Sequence, residues 1–159
     1  MIQQRQKLTM KEIYTEIEIQ APGDQVWKIL TDFDNFPTWN PFIRRVSGEV
    51  REGSHLEVQI QLPGKNEITF KPKVLRAMPN RELRWLGHFI IPGLFDGEHI
   101  FLIQSLTINR THFIQREIFR GILVPLFTRQ LETNTRQGFA EMNRALKMRS
   151  EQSESTEKV

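Results

Sequence analysis

Apolar positions change their spacing three times along the chain, and each change predicts a different element. Ile13, Tyr14, Ile17 and Ile19 are broken by Glu12, Glu16 and Glu18, the alternation of a half-buried strand. That run stops at Ala21-Pro22-Gly23, after which Val26, Leu30 and Phe33 recur at helical spacing beside Trp27 and Ile29. Pro22 suits a helix start and Asp24 the positive end of the helix dipole, so a helix is predicted from about Pro22 to Thr31. The segment from Asp32 to Phe42 is dense in aromatic rings and interrupted by Pro37 and Pro41, which predicts a short helical turn and a loop. From Phe42 onward, turn residues at Gly53, Pro63-Gly64, Pro79-Asn80 and Pro92-Gly93, with a further turn at Ile108-Asn109-Arg110, divide six extended runs at hairpin spacing. Leu56, Val58, Ile60 and Leu62 share one face of such a run, and His55, Glu57, Gln59 and Gln61 the other, placing His55 in solvent. Phe70, Pro72 and Val74 continue the inner face against Lys71 and Lys73, and Leu83 and Trp85 do so against Arg84. A last amphipathic helix is predicted from Pro125 to about Ser150, its stripe formed by Phe127, Leu131, Thr135, Gly138, Phe139, Met142, Ala145 and Leu146.

A curved antiparallel sheet closed by one long helix tends to enclose a hollow, and hollows hold ligands. Gly138 costs about 1 kcal/mol relative to Ala in a helix interior, which points either to a close approach or empty space at the sheet, or to a plain packing notch. The length of 159 residues and an apolar content of 38% fit one folded domain over residues 12–149, with a tail over 1–11 and a disordered polar tail over 150–159. The chain has no cysteine, which removes disulfides, thiolate catalysis and Cys-based zinc sites, and no metal or cofactor is expected. Met1 to Lys11 lacks the apolar core of a secretory signal, and no apolar run reaches the roughly 18 residues of a membrane span, so a cytoplasmic protein is expected. Of the net charge of +3, the last ten residues carry three Glu and one Lys, leaving the body near +5. Its cations, such as Lys71, Lys73, Arg116 and Arg120, are spread along strands as on a solvated face, and nucleic-acid binding is not expected.

Four segments in order carry a resemblance: Val26-Trp27-Lys-Ile-Leu-Thr-Asp32, then Phe36-Pro-Thr-Trp39-Asn40-Pro41-Phe42, then Glu98-His99, then Phe119-Arg-Gly121-Ile-Leu-Val-Pro125. Together they resemble the SRPBCC superfamily, also called START-like or Bet v 1-like, and within it the polyketide cyclase/dehydrase-type members. The resemblance spans roughly Ile13 to Lys147. It implies an α+β helix-grip fold, a seven-stranded antiparallel sheet wrapped around the C-terminal helix with an internal cavity. Members of that superfamily bind lipids, hormones, quinones and polyketides, and some are enzymes, so fold alone does not assign a function.

The last two extended runs, Asp96 to Leu106 and Thr111 to Arg120, put His99, Phe101 and Ile103 on one face and Phe113, Gln115, Glu117 and Phe119 on the facing one. A turn near Asn109 sets His99 roughly opposite Glu117 to Phe119, and a His99–Glu117 hydrogen bond is expected between them. The pair reads either as acid and base of a cyclisation or dehydration, or as a self-satisfied group that presents a donor to a ligand. Candidate cavity walls are Trp39, Phe42, Phe70, Trp85, Phe101, Phe113, Phe119, Gly138, Phe139 and Met142, with His99, Gln115 and Glu117 at a polar end and Trp27 either lining the cavity or anchoring the first helix. His88 and His112 fall near strand ends, in solvent. The run Phe89-Ile-Ile-Pro-Gly-Leu-Phe95 is unusually apolar for a hairpin loop; it predicts a lid, a membrane contact, a subunit contact, or packing against Ile122-Leu-Val-Pro-Leu-Phe127. The expected partner is a hydrophobic small molecule; the sequence does not set the oligomeric state or the ligand.

Overall fold

The computed structural model describes residues 9–156, with side chains through Gln152. The N-terminal strand β1 (Met10–Ile19) pairs along its whole length with β8 (Arg110–Arg120), because Ile13 and Ile19 point into the core while its glutamates face out. Strand β8 in turn pairs with β7 (Asp96–Thr107), β7 with β6 (Glu82–His88), and β6 with β5 (Lys73–Met78), all antiparallel. Strands β2 (Ile43–Ser47), β3 (Glu57–Gln61) and β4 (Glu67–Phe70) make a second sheet of three.

Eight strands therefore stand where seven were expected, and Pro72 is the reason. Strands β4 and β5 are one path broken at Lys71-Pro72, since proline has no N–H to donate to a ladder. The path still runs beside the segment leading into β3: Leu56 N–H donates to Pro72 O at 2.8 Å, Val74 N–H donates to Ser54 O at 2.8 Å, and His55 bridges Lys73. The two sheets are thus joined through a kink. Architecture and long C-terminal helix are those of the helix-grip fold.

Helix α1 (Gly23–Thr31) buries Val26 and Leu30. A 3-10 turn at Phe33–Asn35 leads into the short helix α2 (Phe36–Trp39), and Asn40 ends it. The fully buried Asn40 Oδ1 accepts from Phe42 N at 3.0 Å and from Ile43 N at 2.9 Å, which fixes the direction in which Phe42 enters the interior. The C-terminal helix is not continuous. Helix α3 (Val124–Gln130) passes through a π-helical turn at Leu131–Thr135 into α4 (Arg136–Thr156). Phe139, Met142 and Leu146 of α4 are fully buried in one core cluster with Trp85, Phe101 and Phe113 of the sheet. Gly138 meets no empty space: the Phe42 ring rests directly on it, and the ring also packs edge-on against Phe139 at 5.5 Å.

Both expected tails need correction. Met10 and Lys11 already belong to β1, and Lys11 Nζ reaches Glu132 Oε2 at 2.5 Å. At the other end the helix continues past residue 150. Ser150 is buried, and the Glu151 carboxylate accepts from Gln20 N at 2.9 Å and Lys147 Nζ at 2.6 Å, holding the helix to the end of β1. The remaining parts of the expected tails, residues 1–8 and 157–159, lie outside the described residues. No helix among the described residues is long and apolar enough to cross a membrane.

Candidate functional site

Where α3 and the π turn pass over the sheets they leave a cavity of about 280 Å³. One wall comes from the three-stranded sheet and its edge: Ile60 of β3 and Leu62 just after it, with Ile68 and Phe70 of β4. The opposite wall is Phe95, Phe119 and Phe127, and Leu131 closes the roof beside Phe42. Two local irregularities make this room. The break at Pro72 turns β4 away from β5, and the π turn is bounded by Leu131 and Thr135, which both face the cavity.

Of the walls expected from the sequence, Phe42, Phe70, His99, Glu117 and Phe119 line the cavity. Trp85, Phe101, Phe113, Phe139 and Met142 instead fill the solid core beside it, with Gln115 buried among them, and Gly138 is covered by the Phe42 ring. Trp39 packs on Phe36 at 5.2 Å, and Trp27 packs against the core from α1. Strand parity states which face a residue takes but not which stretch of that face the helix covers. Phe101 and Phe113 are buried in the core cluster with Phe139, Met142 and Leu146 of α4, whereas Gly97, Glu117 and Phe119 line the cavity. His99 stands at the boundary, stacked on Phe139 yet still on the cavity wall. The sequence reading missed Gly97 and Gly87, both on the cavity wall; a glycine inside a strand was the available signal. A Cβ on Gly97 would sit 2.6 Å from Glu117 Oε1, so the absent side chain is what leaves room for the carboxyl.

His99 and Glu117 stand directly opposite each other across β7 and β8. The expected hydrogen bond between them is not formed: His99 Nδ1 and Glu117 Oε2 are 3.8 Å apart. The His99 ring is stacked between Phe101 at 4.2 Å and Phe139 at 4.9 Å, and its other nitrogen, Nε2, lies 3.0 Å from Gln115 Nε2. The Gln115 amide also donates to Met142 Sδ at 3.4 Å, which orients it with its N–H groups toward the imidazole. In that orientation Gln115 Oε1 is buried without a hydrogen bond among the described residues. With the amide so placed, His99 Nε2 accepts and the ring proton is assigned to Nδ1, on the side of Glu117. Burial holds both groups uncharged, pushing Glu117 up to about 8 and His99 down to about 3. An imidazolium would set two donors against each other at Gln115, which opposes charging by a second route.

The apolar loop after β6 forms the cavity mouth. Phe89 N–H donates to Phe95 O at 2.8 Å, and the loop docks on the start of α3 through Leu123 N–H to Leu94 O at 3.0 Å. Phe95 meets Phe127 at 5.6 Å. His88 Nδ1 and Asp96 Oδ1, 2.7 Å apart, staple the loop base. The two apolar segments thus pack on each other, yet Ile90, Ile122 and Leu126 remain 74%, 67% and 71% exposed. His55 and His88 are exposed as expected, while His112 is half-buried against Glu16 at 2.9 Å.

Residues 10–151 match the model of the family described as polyketide cyclase / dehydrase and lipid transport. The chain belongs to that family. No curated protein sequence matches it. Among solved structures, the di-domain aromatase/cyclase StfQ of the steffimycin biosynthetic pathway superposes with a TM-score of 0.73 at 12% identity, over 96% of this chain and 54% of that one. The chain thus spans about half of that protein. The aromatase/cyclase Zhui of a Streptomyces species gives a TM-score of 0.70 at 18% identity, covering 90% of this chain and 94% of that one. A START superfamily protein of Mycobacterium smegmatis gives 0.65 at 21% identity, covering 89% and 97%. At these identities the likeness is one of fold, and the family membership rests on the sequence match.

Proposed function

We propose that the protein binds a predominantly apolar small molecule, of lipid, quinone or polyketide type, in the cavity between the sheets and the C-terminal helix. The observation that carries this reading is the cavity itself: about 280 Å³ with apolar walls and an uncharged polar end at His99 and Glu117. Family membership supports it, since the family's description joins cyclases with lipid transport. Titration with the neutral, environment-sensitive dye N-phenylnaphthylamine tests it. Saturable binding of one dye per chain is expected, lost when Ile60→Trp and Leu131→Trp fill the space. Absence of saturable binding by the wild type would overturn the reading.

A cyclase- or dehydratase-type reaction in the same cavity is the alternative that the family name raises. It asks one member of the His99–Glu117 pair to take a proton while the other gives one, but the basic nitrogen of His99 faces Gln115. The pair offers donors and no ready base, which favours binding. If catalysis does occur, Glu117→Gln and His99→Gln abolish turnover of a ketide and leave its binding nearly intact. Delivery at a lipid surface is a second reading of the binding function, favoured by the exposed apolar rim at the cavity mouth.

A further inference from the structure

The polar end of the cavity contains groups that the fold leaves unsatisfied. Among the described residues none hydrogen-bonds to the Glu117 carboxyl, although its side chain is only 14% exposed; His99 Nδ1 faces it at 3.8 Å. That separation is too long for a hydrogen bond between the two and short enough for one oxygen, set off the line joining them, to lie about 2.8–3.0 Å from both. The facing atoms are of one kind. Gln115 and Met142 orient the amide that fixes the His99 proton on Nδ1, and Gly97 gives up its side chain to admit the carboxyl.

The charges around this end narrow the occupant further. No Lys or Arg is among the residues lining the cavity, so a carboxylate ligand would be desolvated beside an acidic side chain with no cation to receive it. An ammonium ligand would meet the His99 Nδ1–H at the same point. His88, the other titratable residue on the wall, is held by Asp96 at the mouth.

We propose that Glu117 and the Nδ1–H of His99 form a two-donor site for the carbonyl oxygen of an uncharged ligand, so that the cavity selects ketones, quinones or esters over fatty acids and amines. This rests on the binding function above and names its ligand class. The ring stack of His99 between Phe101 and Phe139 keeps one donor fixed, and the strand register places the other opposite it. Both donors are thus in position before a ligand enters, which lowers the ordering cost of binding.

The test is a calorimetric or dye-displacement series at pH 6.5 with four compounds that share one ring system: acetylnaphthalene, ethylnaphthalene, naphthoate and naphthylmethylamine. Acetylnaphthalene is expected to bind about tenfold tighter than ethylnaphthalene, the worth of one to two net hydrogen bonds, and tighter still than the two ions. Glu117→Leu should remove most of the ketone's advantage, read as the ratio of acetylnaphthalene to ethylnaphthalene affinity in the same variant. Glu117→Gln, which keeps a donor of the same shape, should retain it. Equal affinity for the ketone and the hydrocarbon, or tighter binding of either ion, overturns the two-donor site while leaving the apolar cavity standing. A ketone preference that survives Glu117→Leu overturns it as well. Binding of none of the four overturns both readings.

Discussion

Glu117 and His99 are displaced from their ordinary titration ranges in opposite directions, and the two displacements bound the pH range in which the ligand-free protein is most stable. Burial raises Glu117 from 4.5 to about 8, so between those values the folded protein keeps a proton that the unfolded chain releases. Stability from this group falls as pH rises through that window and levels off above it. Burial lowers His99 from 6.5 to about 3, so the unfolded chain takes up a proton that the folded one refuses, and stability falls as pH drops through that window. From 4.5 to 6.5 the two slopes oppose each other, and the melting temperature is expected to peak there. Outside that interval each group contributes a slope of at most about 1.4 kcal/mol per pH unit, less for Glu117 because the cavity admits water. Glu117→Gln should flatten the fall between 6.5 and 8, and His99→Gln the fall below 4.5. Comparing melting curves of wild type and variant across pH isolates these groups from surface pairs such as His112–Glu16. Superimposable profiles for wild type and Glu117→Gln would mean that Glu117 is ionised in the fold. Residue identity at this site is legible from strand parity, which puts His99, Gln115 and Glu117 on the inner face. What parity does not carry is ring orientation: the imidazole stacks on Phe101 and Phe139 with Nε2 at Gln115, and its Nδ1 stays 3.8 Å from the Glu117 carboxyl, which has no hydrogen bond among the described residues.

At the level of elements, alternation and turn residues locate the strands, but not the two departures that open the cavity. In the sequence Pro72 reads as one more inward position of a strand, because its side chain is apolar and in phase; its missing N–H is what divides β4 from β5. The π turn is hidden in a regular spacing. Phe127, Leu131, Thr135 and Phe139 follow at four-residue steps, and in an α-helix each such step overshoots a full turn by about 40°. A wider turn at Leu131–Thr135 absorbs the drift and keeps Leu131 and Thr135 over the cavity. Gly138, just past that segment, then receives the Phe42 ring. Gly138→Ala gains about 1 kcal/mol of helix propensity, but its Cβ occupies the place of the ring, an overpacking that costs about 1–3 kcal/mol. The ring's route of escape is the cavity it already lines. The expected outcome is a net loss of about 1 kcal/mol in denaturant melts together with weaker N-phenylnaphthylamine binding, and both effects should be relieved by adding Phe42→Leu. A more stable Gly138→Ala with unchanged dye affinity would show that the ring does not need the notch.

For the molecule as a whole, the cavity mouth coincides with a group of highly exposed aliphatic side chains. The loop after β6 does not hide its apolar residues by docking on α3: Ile90 and Leu126 stay outside, and Ile90 holds a φ of 71°, a conformation that costs a β-branched residue roughly 1–3 kcal/mol. A strained isoleucine in water has no stabilising role in the isolated protein, whereas at an acyl-chain boundary its burial would return about 1.5–3 kcal/mol. Lipid-surface contact at the rim would also let an apolar ligand pass between bilayer and cavity without crossing water. Phe89 and Phe95 line the cavity, so replacing them confounds surface contact with ligand binding. Ile90 and Leu126 lie outside the cavity wall and separate the two. Co-sedimentation with vesicles containing anionic phospholipid is expected for the wild type, favoured by a body charge near +5. Ile90→Ser with Leu126→Ser should reduce partitioning about tenfold or more, the equivalent of one lost apolar anchor, while N-phenylnaphthylamine still binds one per chain. If the double variant sediments as well as the wild type, the attraction is electrostatic and the rim does not insert. If neither sediments, the rim meets no lipid surface, and ligand enters this cavity from solution.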